Sequence, residues 1–120
     1  MLITGPAGAG KSDLALRLVG RGWRLVADDY THLVASAGAL YAVAPETIAG
    51  RIEARGVGIV PACARSLTRL ALALELGGEA PERLPELETR TLEGVDLPVL
   101  RLRGFEASAV EKVAAALARL

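Results

Sequence analysis

Cysteine, histidine, tryptophan and phenylalanine each occur once in this chain, and aromatic residues make up only 3% of its 120 positions. A lone thiol, Cys63, excludes an internal disulfide and a thiolate metal cluster, and it reads as a small apolar side chain. A lone histidine, His32, excludes a multi-histidine metal site and is expected to be structural or on the surface. Trp23 and Phe105 are expected to pack against the core, which leaves no aromatic clamp for a base. Charge of either sign is not in excess. Lys and Arg total 14 against 14 Asp and Glu, without long blocks, so neither nucleic acid nor a membrane surface is an expected partner. Although 52% of residues are hydrophobic, charges interrupt every run short of membrane-spanning length. The start MLITGPAGAGKS lacks the basic flank and apolar stretch of a secretory signal, and the expected location is the cytoplasm.

Glycine is plentiful and concentrated. Leu2, Ile3 and Thr4 form a short apolar strand that runs into Gly5, Pro6, Ala7, Gly8, Ala9 and Gly10, followed by Lys11 and Ser12. This matches the phosphate-binding loop pattern in full. Glycines let successive backbone N–H groups face one concavity at a helix start; Lys11 neutralises phosphate charge and the Ser12 hydroxyl can ligate Mg²⁺. Helical spacing of Leu14 and Leu18, with Gly20 and Gly22 as stops, predicts the helix that must follow.

Downstream, a strand is expected from about Arg24 to Ala27, ending in Asp28 and Asp29 at the loop's edge of a parallel sheet. Adjacent carboxylates leaving a strand point differently. One can serve the metal site, and the other can take a proton from an incoming nucleophile. His32–Ala35 and Leu40–Val43 predict a hairpin turning at Gly38, and residues 44–55 an irregular crossing with room for a helical turn. In IEARGVGIV, Glu53 and Arg55 share a face if the piece is extended, with a metal, a phosphate or an exposed ion pair as alternatives. GVGIVP predicts a strand closed by Pro61. LTRLALALELG fits a strand through Leu70, Leu72, Leu74 and Leu76, although helical spacing also fits. GGEAPERLPELE reads as a loop, Val99–Leu102 as a strand, and Ser108 with Glu111 as a capping box for a last helix bearing Val110, Val113, Ala114 and Leu117. The expected fold is α/β: one domain over residues 1–120, with a P-loop nucleotide-binding core, a mixed sheet and an additional β-hairpin.

Together, GPAGAGKSDLALRLVGRGWRLVADD and the E-x-R-G-x-G of IEARGVGIV resemble the catalytic C-terminal domain of the HPr kinase/phosphorylases. ERL at residues 82–84 and LEGVDLP are similar to further family segments. The resemblance implies an ATP- and Mg²⁺-dependent protein serine kinase that also runs the phosphorolytic reverse reaction. Its substrate would be an HPr-like phosphocarrier protein, and the assembly a homo-oligomer, in the family a hexamer. It implies that Lys11 binds phosphate and that Ser12 and Glu53 ligate Mg²⁺. Asp29 would accept the proton of the substrate serine and return it in reverse, with Asp28 supporting metal and substrate; Arg83 would serve dephosphorylation. Against that family, this sequence is expected to lack the amino-terminal domain and the histidine segment before the loop strand, and LPVLRLRGFEASAVEKV stands in place of the closing Pro-Gly-Arg-Asn stretch, with Arg101 and Arg103 only as loose substitutes. A nucleotide- or phosphate-binding regulatory module without transferase activity is the alternative.

Overall fold

The structure is a computed structural model that describes residues 1–28, 31–45, 50–54, 56–61, 67–78 and 88–120. Strand β1 (Leu2–Thr4) leads through the glycine loop into helix α1 (Lys11–Gly20). A hairpin follows, β2 (His32–Ser36) and β3 (Ala39–Val43), then a second hairpin, β4 (Arg51–Ala54) and β5 (Gly58–Pro61). The chain continues through β6 (Leu67–Arg69), β7 (Ala73–Leu76), β8 (Glu88–Leu92), β9 (Val95–Leu102) and helix α2 (Ala109–Ala118).

Four strands make a mixed sheet in the order β1-β7-β9-β8, with β1, β7 and β9 parallel and β8 antiparallel to β9. A three-stranded antiparallel sheet, β2-β3-β6, and the β4-β5 pair complete the described architecture. Alternation along β7 decides what each face of the mixed sheet buries. Leu72, Leu74 and Leu76 pack with Leu14 and Leu18 of α1 and Val110 and Val113 of α2. Ala73, Leu97 and Val99 point the other way, onto Leu40, Ala42 and Leu70. Two apolar clusters therefore sandwich one sheet, as expected for a central sheet covered on both faces.

The leucine run of residues 67–76 is extended, but it is not one strand. Arg69 pairs with Tyr41 of β3, whereas Ala73 already pairs with Leu2 of β1 and Val99 of β9. Period-two patterning fixes which face a side chain takes, not which sheet the backbone joins, so the switch at residues 70–72 left no mark in the pattern. Three other expectations are corrected. Arg24–Ala27 forms no strand, only an isolated bridge at Leu25; its apolar residues turn inward, yet the backbone gains no ladder. Residues 51–54, expected to be irregular, are β4, because Ile52 and Ala54 bury alternately and pair with Val60 and Gly58. The capping box at α2 does not close: Ser108 stands at the N-cap without a side-chain bond, while the Glu111 side chain goes to Arg21, the C-cap of α1, 3.0 Å away. On that helix Val110 and Val113 are buried, but Ala114 is exposed.

Both two-residue hairpin turns use a left-handed pair, Ala37-Gly38 (φ 50° and 77°) and Glu93-Gly94 (φ 50° and 76°). Positive φ at both central positions is the turn twist that matches two right-twisted strands. Among the described residues, no helix is long and apolar enough to cross a membrane.

Candidate functional site

The site is built where β1 ends. The chain leaves Thr4, turns through residues 5–10 and enters α1 at Lys11, so the helix N-terminus faces the loop. Gly10 is the N-cap with φ 93°, a left-handed conformation that glycine takes without strain. Ala9 donates its N–H to the Pro6 carbonyl at 3.1 Å, closing the loop on itself. The Lys11 ammonium folds back over the same loop and donates to the carbonyls of Gly5 (2.7 Å) and Pro6 (3.1 Å). A cation is thereby held at the loop, in reach of any anion seated on it.

The first turn of α1 carries the second contact. Ser12 Oγ donates to Asp28 Oδ1 at 2.8 Å, and the backbone N–H of Glu53 donates to Asp28 Oδ2 at 3.1 Å. One carboxylate thus bridges the helix after the glycine loop and β4, two elements far apart in sequence. Glu53 lies on the outward face of β4, because the neighbouring Ile52 and Ala54 bury the inward one, so its side chain remains free to solvent. These are hard oxygen donors, the ligand chemistry suited to Mg²⁺. Among the described residues, no three His, Cys, Asp or Glu side chains gather as a metal-binding group by themselves. A metal here would take Ser12, Asp28 or Glu53 together with oxygens brought by a ligand.

A cavity of about 820 Å³ runs along β1, α1 and the Leu25–Asp28 segment, extends to Ala73 of β7 and to Arg90 and Leu92 of β8, and reaches Gly5, Lys11 and Asp28. On the other side of the loop, β7 lies directly beneath it. A Cβ on Gly5 would stand 2.8 Å from the Leu76 carbonyl oxygen. Glu75 sits at the carboxyl end of β7 and is ion-paired with Arg90 and, at 3.5 Å, with Arg101.

The structure therefore brings together Lys11, Ser12, Asp28, the backbone of Glu53 and residues 5–10. Asp29, Arg55, Cys63 and Arg83 lie outside the described residues. Trp23 packs against the helix-side core as expected, but Phe105 does not. It is 66% exposed, and its ring covers Gly10, where a Cβ would stand 3.1 Å from Cζ. Arg17 was also not singled out from the sequence. Its guanidinium donates to the Gly104 carbonyl and, at 3.0 Å, to the Glu106 carbonyl, fixing the turn after β9 against α1. Nothing in the spacing of a mid-helix arginine announces such a contact.

Glu111 is held below the usual carboxylate range, first by a hydrogen bond to its own backbone N–H and then by Arg21.

The sequence model of the family described as "HPr Serine kinase C-terminal domain" matches residues 1–65, the stretch that holds the loop, Asp28 and Glu53. The chain belongs to this family. HPr kinase C-terminal domain relatives extend the match. The HPr kinase/phosphorylase of Azoarcus sp. (strain BH72) is 39% identical over 117 residues, covering 85% of this chain and 37% of the relative. That of Clostridium novyi (strain NT) is 48% identical over 60 residues, covering 50% of this chain and 20% of the relative. Among solved structures, the Hpr(Ser) kinase/phosphatase from Coxiella burnetii superposes with a TM-score of 0.81 at 25% identity, covering 98% of this chain and 84% of that one. The chain thus spans between a fifth and somewhat over a third of the length of these sequence relatives.

Proposed function

We propose that this chain carries a P-loop nucleotide-binding catalytic unit that moves a phosphoryl group from ATP to a serine of an HPr-like phosphocarrier protein. The observation that carries the proposal is the Asp28 bridge: one carboxylate joins Ser12, beside the Lys11 ammonium, to the strand that bears Glu53. In this reading residues 5–10 cradle the polyphosphate with backbone N–H groups, and Lys11 leaves its two loop carbonyls to neutralise charge on the transferred group. Ser12 and Glu53 would hold Mg²⁺, with Asp28 orienting Ser12; when bound, the metal supplies charge neutralisation at the phosphates. Asp29, next in sequence to Asp28, takes the proton from the substrate hydroxyl as its oxygen bonds to the terminal phosphorus and the bond to the bridging oxygen breaks. In reverse, inorganic phosphate displaces the serine oxygen from phosphoserine, Asp29 returns the proton, and pyrophosphate leaves. Arg83 would support that direction by stabilising phosphate charge. We further propose a homo-oligomer, hexameric as in the family. The apolar side chains of Val57 and Ile59, 77% and 73% exposed on the β4–β5 hairpin, support such contacts.

The test is transfer of labelled phosphate from ATP with Mg²⁺ to a serine-containing phosphocarrier, for wild type and Asp29→Asn. Near-complete loss of transfer with nucleotide affinity kept is the expected result. Equal transfer by both proteins would remove Asp29 as proton acceptor. Nucleotide binding by wild type without transfer to any carrier would leave a binding module.

A further inference from the structure

Among the described residues, Phe105 is an exposed ring set against the loop, and it is held there rather than left loose. At 66% exposure this side chain forgoes most of the stabilisation that burying a phenylalanine gives. Its two neighbours are fixed by one guanidinium: Arg17 takes the carbonyls of Gly104 and Glu106 and is itself braced by Asp13 at 3.0 Å. Glu106 closes the turn by donating its N–H to the Arg103 carbonyl at 3.2 Å. Gly104 allows the turn to touch the loop backbone, since a Cβ there would stand 2.7 Å from the Ala9 carbonyl oxygen and 3.3 Å from that of Gly10. A turn fastened on both sides of an exposed ring is a device for presenting that ring.

Its position says to what. The turn follows the carboxyl end of β9, which runs parallel to β1 with β7 between them, so it shares the ligand-binding edge of the sheet with the glycine loop. Lys11 and Asp28 line the cavity that runs along β1, with Ser12 bonded to Asp28, whereas Phe105 reaches Gly10 from the β7–β9 side. A polyphosphate laid across the loop with its terminal phosphate toward Asp28 therefore sends its other end toward Phe105. We propose that Phe105 is the stacking platform for the nucleobase, a binding contact that rests on the nucleotide reading above. Every base has a π-face, so the platform favours nucleotides over bare polyphosphate without choosing strongly among bases.

Calorimetric titration of wild type, Phe105→Ala, Phe105→Leu and Phe105→Trp with ATP and with tripolyphosphate tests this. Leu keeps apolar contact with Gly10 but has no π-face, which guards against a simple folding defect. Removing the ring is expected to weaken ATP about tenfold in both the Ala and Leu variants and to leave tripolyphosphate unchanged. In Phe105→Trp, ATP affinity is retained and the added indole fluorescence is quenched by ATP but not by tripolyphosphate. Unchanged ATP affinity in the Ala and Leu variants, or equal losses for both ligands, overturns the proposal while leaving the nucleotide site in place. A wild-type chain that binds neither ligand overturns both.

Discussion

Asp28 carries two bonds with one carboxylate, and removing it strands two donors at once. Asp28→Ala is expected to cost about 1–3 kcal/mol, at the lower end because the site is partly open to water. Hydrogen exchange should localise the loss: the Glu53 amide exchanges faster than in wild type, while the β7 amides are unchanged. Uniform acceleration across the sheet would mean that the bridge is not a local tie. At Gly104 the prediction is steric. An alanine methyl 2.7 Å from the Ala9 carbonyl oxygen has to push the turn off the loop, at a cost of about 1–3 kcal/mol in a denaturant melt. At this scale the sequence was most legible where chemistry is local. Lys11 and Ser12 follow from the spacing of the glycines, and Asp28 from an acidic end to an apolar stretch. Phe105 was not legible, because hydrophobicity alone predicts burial; what places this ring outside is a hydrogen-bonded turn anchored by Arg17, a contact between residues 87 and 89 positions apart.

Turns and helix ends were partly readable as elements. The Gly38 turn was, because a glycine between alternating runs is a hairpin signal; β8 was missed although Glu93-Gly94 plays the same part. Both turns place a non-glycine residue at φ 50°, where asparagine is better tolerated than alanine or glutamate. Ala37→Asn and Glu93→Asn are therefore expected to raise stability, by roughly 0.5–1 kcal/mol each, measured as an increase in denaturation midpoint. An unchanged or lower midpoint would contradict the turn assignment. The start of α2, where Glu111 meets its own backbone N–H and Arg21, is expected to be pH-dependent. Glu111 has a lowered pKa in the folded chain, so its contribution is fully present above the usual carboxylate value of 4.5 and is lost as pH falls through the lower folded value. Wild type should exceed Glu111→Gln in Tm at neutral pH, and the difference should close in acid. A gap that persisted in strong acid would show that the carboxylate charge is not its source.

The whole molecule rests on one sheet with an apolar cluster on each face, and Leu74 lies at its centre with 0% exposure. Leu74→Ala is expected to cost about 2–5 kcal/mol, enough to lower Tm by several degrees and to loosen α1 and α2 together. The α/β class and the strand-loop-helix opening were legible because they follow from short-range patterning. The division of residues 67–76 between two sheets and the unladdered Arg24–Ala27 were not, since both depend on which distant edge a strand meets. Placing Ser12 and Glu53 at one site depends on those same long-range meetings, and that convergence is the central claim. Electron paramagnetic resonance of Mn²⁺ titrated with ATP into wild type, Ser12→Ala and Glu53→Gln measures it most directly. Both substitutions should weaken the protein-bound metal signal by at least about tenfold. Unaltered metal binding in the two variants would show that the helix and β4 do not serve a shared ion.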